Sequence, residues 1–244
     1  MENHHKLLYT KETLNYLLNK NSDFPYYSQR YLETTQQGKI SPNQRQNLIS
    51  WISETCESQE TSKKTCQIAI YCVDYFLCQK TISNFSLLEL IGLICISISL
   101  KYEESRELAP QKIFSMCQRR FTLEAIIATE VYILNVLSWK IDMVTPIELL
   151  EYIFELTCED VECSKITSRA QDFIQIALAD YSISRYSPAI IAVSSVICVL
   201  QISNYHDFCK DWLKVLENQT SICIATCATV SEMLKEKVMS LSAC

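Results

Sequence analysis

Apolar residues recur along this chain at spacings of three and four, the period of helices that bury one face, and helix-start signals divide the pattern. Four of the five prolines sit where helices should begin. Ser41-Pro42, Thr145-Pro146 and Ser187-Pro188 each place a capping hydroxyl before a proline at the first helical position, and Pro110 follows an alanine. Gln44 and Glu148 complete capping boxes with Ser41 and Thr145, and Ser86 with Glu89 makes another. These starts predict a short leading helix near 7–18, then a linker containing Pro25. A first set of helices follows at 41–57, 62–79, 86–101, 110–118 and 122–138. A second set is predicted at 145–157, 164–184, 187–202, 205–216 and 220–240.

The two sets read as a repeat. The third helix of each, from Ser86 to Ser99 and from Ser187 to Leu200, is apolar almost all round. A helix without a polar face must be surrounded by other helices. Each half is therefore expected to wrap around one central helix, the copies offset by 101 residues. The fold class is all-α: two tandem five-helix bundles preceded by a short N-terminal helix. The expected parts are 1–40, helix and linker; 41–140, the first bundle; and 141–244, the second. The first central helix ends in Lys101-Tyr102-Glu103-Glu104 and the second in Gln201-Ile202. One charged, decorated copy suggests that function sits on the first.

Composition narrows the function classes. With only Gly38 and Gly92 among 244 residues, no phosphate-cradling glycine loop exists, and tight hairpin turns are scarce. The net charge of −6 opposes nucleic-acid binding, and the pairs Lys63-Lys64 and Arg119-Arg120 read as solvated helix ends. Thirteen cysteines include no CxxC pair, and three histidines leave little for metal ligation, so no metal or other cofactor is expected. Cysteines inside apolar runs, such as Cys95 and Cys198, act as small core hydrophobes. The odd count and the lack of a signal peptide point to a reducing compartment. The longest nearly uncharged apolar run, Leu87 to Leu100, is 14 residues, short of the ~20 that span a bilayer, so no membrane partner is expected. No nucleophile–base pair marks a catalytic site.

Four charged residues stand inside apolar helical stretches of the first half: Arg45, Asp74, Lys101 and Glu130. Charges near a core need partners, and Arg45 and Asp74 are expected to pair. Lys101 closes the central helix, where a cation suits the dipole. Glu130 lies between Ala125 and Leu134 in an apolar setting and needs a partner from elsewhere.

Here the chain resembles a family. Arg45 with Trp51, Ala69 with Asp74-Tyr75-Phe76-Leu77, Leu88 with Gly92 and Lys101-Tyr102-Glu103-Glu104, and Glu130 with Leu134 and Trp139 are similar to the cyclin box in order and spacing. Ala177 to Ser182 and Tyr186 to Ala192 resemble the second cyclin fold, most like D-type cyclins. The resemblance implies a regulatory and activating subunit, not an enzyme. It would form a heterodimer with a cyclin-dependent protein kinase in cell-cycle control, in nucleus and cytoplasm. Lys101 and Glu130 would bond the kinase near its C-helix, with Ile98, Tyr102, Leu134 and Trp139 completing the patch. Arg45 and Asp74 would brace the box and Leu88 pack it.

There are departures. The substrate-docking patch of many cyclins begins Met-Arg-x-Ile-Leu; here it is Gln44-Arg45-Gln46-Asn47-Leu48, leaving Leu48 and Trp51 as a remnant. Leu156-Thr-Cys-Glu-Asp160 only approaches the Leu-x-Cys-x-Glu of D-type cyclins, and Arg45-x-x-Leu48 matches a short degron inside a core helix. Both read as coincidences. The alternative function is a cyclin-fold protein with a non-kinase partner, such as a transcription-complex adaptor.

Overall fold

The structure, a computed structural model, describes residues 2–20, 30–157 and 162–242. Among these residues there are eleven helices and no strand. They are α1 Glu2–Lys20, α2 Pro42–Ser58, α3 Lys63–Gln79, α4 Ser86–Glu103, α5 Pro110–Met116, α6 Leu123–Val136, α7 Pro146–Thr157, α8 Glu162–Ala179, α9 Pro188–Ile202, α10 His206–Gln219 and α11 Ile224–Ser242.

The chain divides into two compact units. Gln29–Met143 holds α2 to α6; the residues from Val144 onward hold α7 to α11, and α1 joins them by packing on α7. In the first unit α2, α3, α5 and α6 pack around α4, and every residue from Leu90 to Leu100 is buried. In the second, α7, α8, α10 and α11 enclose α9, buried from Ile191 to Leu200. Neither central helix has an open face, as an apolar circumference requires. Helix α3 is enclosed almost as fully, without a break from Thr65 to Asp74, although it carries Thr65, Gln67 and Asp74.

Most helix starts follow their local chemistry. Ser41 and Gln44 form the reciprocal capping box at α2: the Gln44 N–H donates to Ser41 Oγ, and the Ser41 N–H donates to Gln44 Oε1. Ser62, Thr122 and Ser187 cap α3, α6 and α9. The box expected from Ser86 and Glu89 is absent. The Ser86 N–H and hydroxyl both donate to Asn84 Oδ1, so Phe85 stands at the cap position without a side-chain bond. Helix α8 stops at Ala179 rather than 184, because the Asp180 carboxylate accepts the N–H groups of Ser182 and Ile183 and turns the chain. Asp180 also holds Lys237 of α11 at 2.7 Å. Helix α11 begins at Ile224, not 220.

Residues 30–40, expected as linker, are tied to the first bundle. Gln36 is wholly buried; its Nε2 donates to the carbonyls of Leu77 and Lys80, and its Oε1 accepts the Ile82 N–H. It thereby satisfies carbonyls that the end of α3 leaves open. Thr35 adds a bond to the Cys78 carbonyl.

The same segment completes the brace. The Arg45 guanidinium is 0% exposed. Its Nη2 lies 2.5 Å from Asp74 Oδ2 and its Nε 2.9 Å from Asp74 Oδ1. Tyr31 donates its hydroxyl to Asp74 Oδ1 at 2.6 Å and accepts from Arg45 Nε at 2.9 Å. Burial alone would favour loss of the Arg45 charge, but Asp74 and Tyr31 overcome it and raise its pKa. Burial, then the Asp74 charge, raises that of Tyr31. Asp74→Ala leaves a buried guanidinium half-paired and should cost about 3–5 kcal/mol. Tyr31→Phe removes one hydroxyl and should cost about 1–3 kcal/mol. Urea unfolding of each variant without any partner checks both; a change in Asp74→Ala within experimental error contradicts the brace.

Candidate functional site

Lys101 occupies the last turn of α4 and Glu130 the middle of α6, and the packing of α6 on α4 brings them together. Lys101 Nζ lies 2.6 Å from Glu130 Oε1 and 3.3 Å from Glu107 Oε2, with side-chain exposures of 39% for Lys101, 20% for Glu130 and 54% for Glu107. Partial burial draws the Lys101 pKa down, but the bonds and charges of Glu130 and then Glu107 raise it. The ammonium stays charged. Ion pairs this open to water contribute about 0–1 kcal/mol, too little to explain charges at this depth as stabilisers of the bundle.

Around the pair lies apolar surface. Ile127, Glu130, Val131 and Leu134 fall at i, i+3, i+4 and i+7 of α6 and share one face. Ile127 and Val131 are each about half exposed, whereas Leu134 is buried. Tyr102 stands exposed one residue after Lys101. Ile127 and Val131 were not among the residues singled out from sequence; their spacing to Glu130 was the available signal. Ile98 requires a correction. At 2% exposure it faces the core of the bundle, because the whole circumference of α4 is covered up to Leu100, so it supports the patch and offers no surface.

Trp139 lies just past α6, 63% exposed, with φ +59°. Its backbone N–H closes the helix on the Leu134 carbonyl, and its indole N–H donates to Asn135 Oδ1 at 3.3 Å. A bulky residue in the left-handed region costs about 1–2 kcal/mol. Leu88 is buried in the first turn of α4. Leu48 is buried and Trp51 half-buried, and a Cβ on Gly92 would meet Trp51 Cζ3 at 2.9 Å, so the glycine lets α2 close on α4. Gln44 is spent on the capping box and Asn47 is exposed, so this face of α2 is polar beside Leu48. Cys158 to Asp160 of the approximate Leu-x-Cys-x-Glu motif lie outside the described residues.

The segment after α4 is fastened firmly. Glu104 Oε1 accepts the Ser62 N–H at 2.7 Å and the Thr65 hydroxyl at 2.6 Å, tying the end of α4 to the start of α3. Arg106 pairs with Glu104 and donates to the carbonyls of Gln59 and Glu60. Among the described residues no group of three or more His, Cys, Asp or Glu is placed to hold a metal, and no helix is long and apolar enough to cross a membrane. Nine of the described cysteines are buried free thiols and Cys223 is exposed.

Comparison with known proteins gives the family and the fold. The family model "Cyclin, N-terminal domain" matches residues 12–142, and "Cyclin, C-terminal domain" matches 144–243. The chain belongs to the cyclin family. Rat G1/S-specific cyclin-D2 (Rattus norvegicus) is 28% identical over 169 residues, 68% of this chain and 58% of that protein. Human G1/S-specific cyclin-D1 (Homo sapiens) is 25% identical over 166 residues, 68% of this chain and 56% of the relative. The matches thus span a little under three fifths of these relatives. The solved viral cyclin from herpesvirus saimiri superposes with a TM-score of 0.77 at 22% identity, covering 93% of this chain and 96% of that one. A chain of the CAK complex of Chaetomium thermophilum bound to ATP-gamma-S gives 0.59 at 14% identity, covering 96% and 74%. These two likenesses establish the fold.

The Glu104 latch carries a pH signature. Burial pushes its carboxyl up, but the Thr65 hydroxyl, Arg106 and the Ser62 N–H outweigh this and hold it down at about 2. An unfolded chain has a Glu pKa of about 4.3. Folding therefore favours the ionised form, whose contribution is full above about pH 5 and is lost progressively as pH falls through 4 toward 2. Wild type should melt higher than Glu104→Gln at pH 6, with the gap closing as pH is lowered through 4. A gap independent of pH contradicts the ionised latch.

Proposed function

We propose that the protein is the regulatory and activating subunit of a cyclin-dependent protein kinase, working as a heterodimer in cell-cycle control in nucleus and cytoplasm. The observation that carries this reading is the Lys101–Glu130 pair framed by the exposed apolar residues Ile127, Val131 and Tyr102. A charged pair ringed by apolar anchors is the arrangement of a strong protein interface. Membership of the cyclin family supplies the partner class.

In this proposal the box at 41–140 makes the kinase contact, and the fold at 141–244 follows it. Lys101 and Glu130 turn their bonds to groups near the kinase C-helix, Tyr102, Val131 and Trp139 cover it with apolar surface, and Ile98 and Leu134 back them from the core. Holding that helix inward sets the kinase's own Lys–Glu pair and metal-binding loop. Catalysis belongs to the kinase. Arg45, Asp74 and Leu88 keep α2, α3 and α4 rigid so that the patch is preformed. Docking of Arg-x-Leu substrates through Leu48 and Trp51 is weak, because Asn47 sets an amide where the groove needs an apolar wall.

The test separates folding from binding. Lys101→Ala removes an open ion pair, so its melting temperature should stay within about 2–4 °C of wild type. Its affinity for the cognate kinase should fall about 30- to several thousand-fold, the effect of truncating one member of a buried charged contact at ~2–5 kcal/mol. Val131→Asp should fold and fail to bind. Normal kinase activation by both variants contradicts the proposal.

A further inference from the structure

Lys101 is shared between two carboxylates, those of Glu130 and Glu107. Glu107 comes from the segment after α4, where both neighbours are pinned. The Arg106 N–H bonds the Leu100 carbonyl and its guanidinium clamps Glu104 and two carbonyls of the α2–α3 turn, while the Leu108 carbonyl accepts from Ser97 Oγ. Leu108 itself is buried. The Glu107 carboxylate is therefore held 3.3 Å from Lys101, its only cation among the described residues. Among the described residues Lys101 is also the only cation of Glu130. The trio carries one positive and two negative charges.

In isolation the excess charge is harmless, since Glu107 is more than half exposed. A partner seated on Tyr102, Ile127 and Val131 removes water from all three groups together. Two carboxylates on one ammonium then leave a negative charge uncompensated, and a desolvated charge needs a counterion. We infer that Glu107 is a specificity residue of this face: it selects a partner that presents a Lys or Arg beside the Lys101–Glu130 contact. This rests on the kinase reading above, and it adds the sign of the charge on the kinase surface opposite Glu107. The opposite possibility is that Glu107 merely restrains Lys101 in the free chain, in which case removing it frees the ammonium and binding tightens.

The experiment measures association of the full chain with its cognate cyclin-dependent kinase by surface plasmon resonance, at about 50 mM and about 500 mM salt. Surface charges steer association strongly at low ionic strength and are screened at high. Glu107→Gln should associate about 3- to 10-fold more slowly than wild type at low salt, with the difference vanishing at high salt. Glu107→Lys should be slower still. Glu54→Gln, an exposed carboxylate on α2 away from the patch, should match wild type. Circular dichroism confirms that each variant is folded. Equal or tighter binding by Glu107→Gln overturns the inference while leaving the kinase reading standing. Failure of wild type itself to bind any such kinase overturns both.

Discussion

The first unit depends on a guanidinium that has no access to water. Arg45 is 0% exposed in the middle of the α2 packing face, and a buried charge without partners would unfold the bundle around it. Asp74 of α3 and Tyr31 of the preceding segment surround it. Three separate stretches of chain are thereby fixed in one geometry, and the network discriminates sharply against any other register of α2 on α3. Gln36 repeats the logic at the far end of α3, where its amide satisfies carbonyls that the helix leaves open.

The rigidity reaches the surface through α4. Its circumference is covered to Leu100, so its last turn emerges at a fixed point, and Glu104 and Arg106 lock the chain that follows. Lys101 therefore stands where Glu130 and Glu107 can both reach it. The charges that brace and the charges that face outward differ in burial more than in type. Arg45 and Asp74 are sealed and carry folding energy; Lys101 and Glu107 are wet and carry little, which leaves them available to a partner.

Legibility in the sequence followed the range of the interaction. Ser41-Pro42 with Gln44 is a local device, and α2 begins where it says. The central helices were legible because an apolar circumference has only one resting place. Local signals failed where a nearby competitor intervened, as when Asn84 took the bonds of Ser86 and Asp180 ended α8 early. Tyr31 was not legible as a third partner of the brace, since it lies 43 residues from Asp74 and no helical period links them. The resemblance to cyclins placed Ile98 on the contact patch, but exposure depends on how far α2, α3, α5 and α6 cover α4, and that is a tertiary fact. For the same reason the exposed Ile127 and Val131, and the Glu107 contact to Lys101, emerged only with the fold.

The central claim is that the last turn of α4 and the outward side of α6 form the face that a kinase covers. Hydrogen–deuterium exchange of the full chain, alone and with its cognate cyclin-dependent kinase, measures this directly. Backbone amides of 98–108 and 123–139 should gain protection in the complex, while those of α10 and α11 keep their rates. Protection confined to α10 and α11, with 98–108 and 123–139 unchanged, would place the partner elsewhere and contradict the claim.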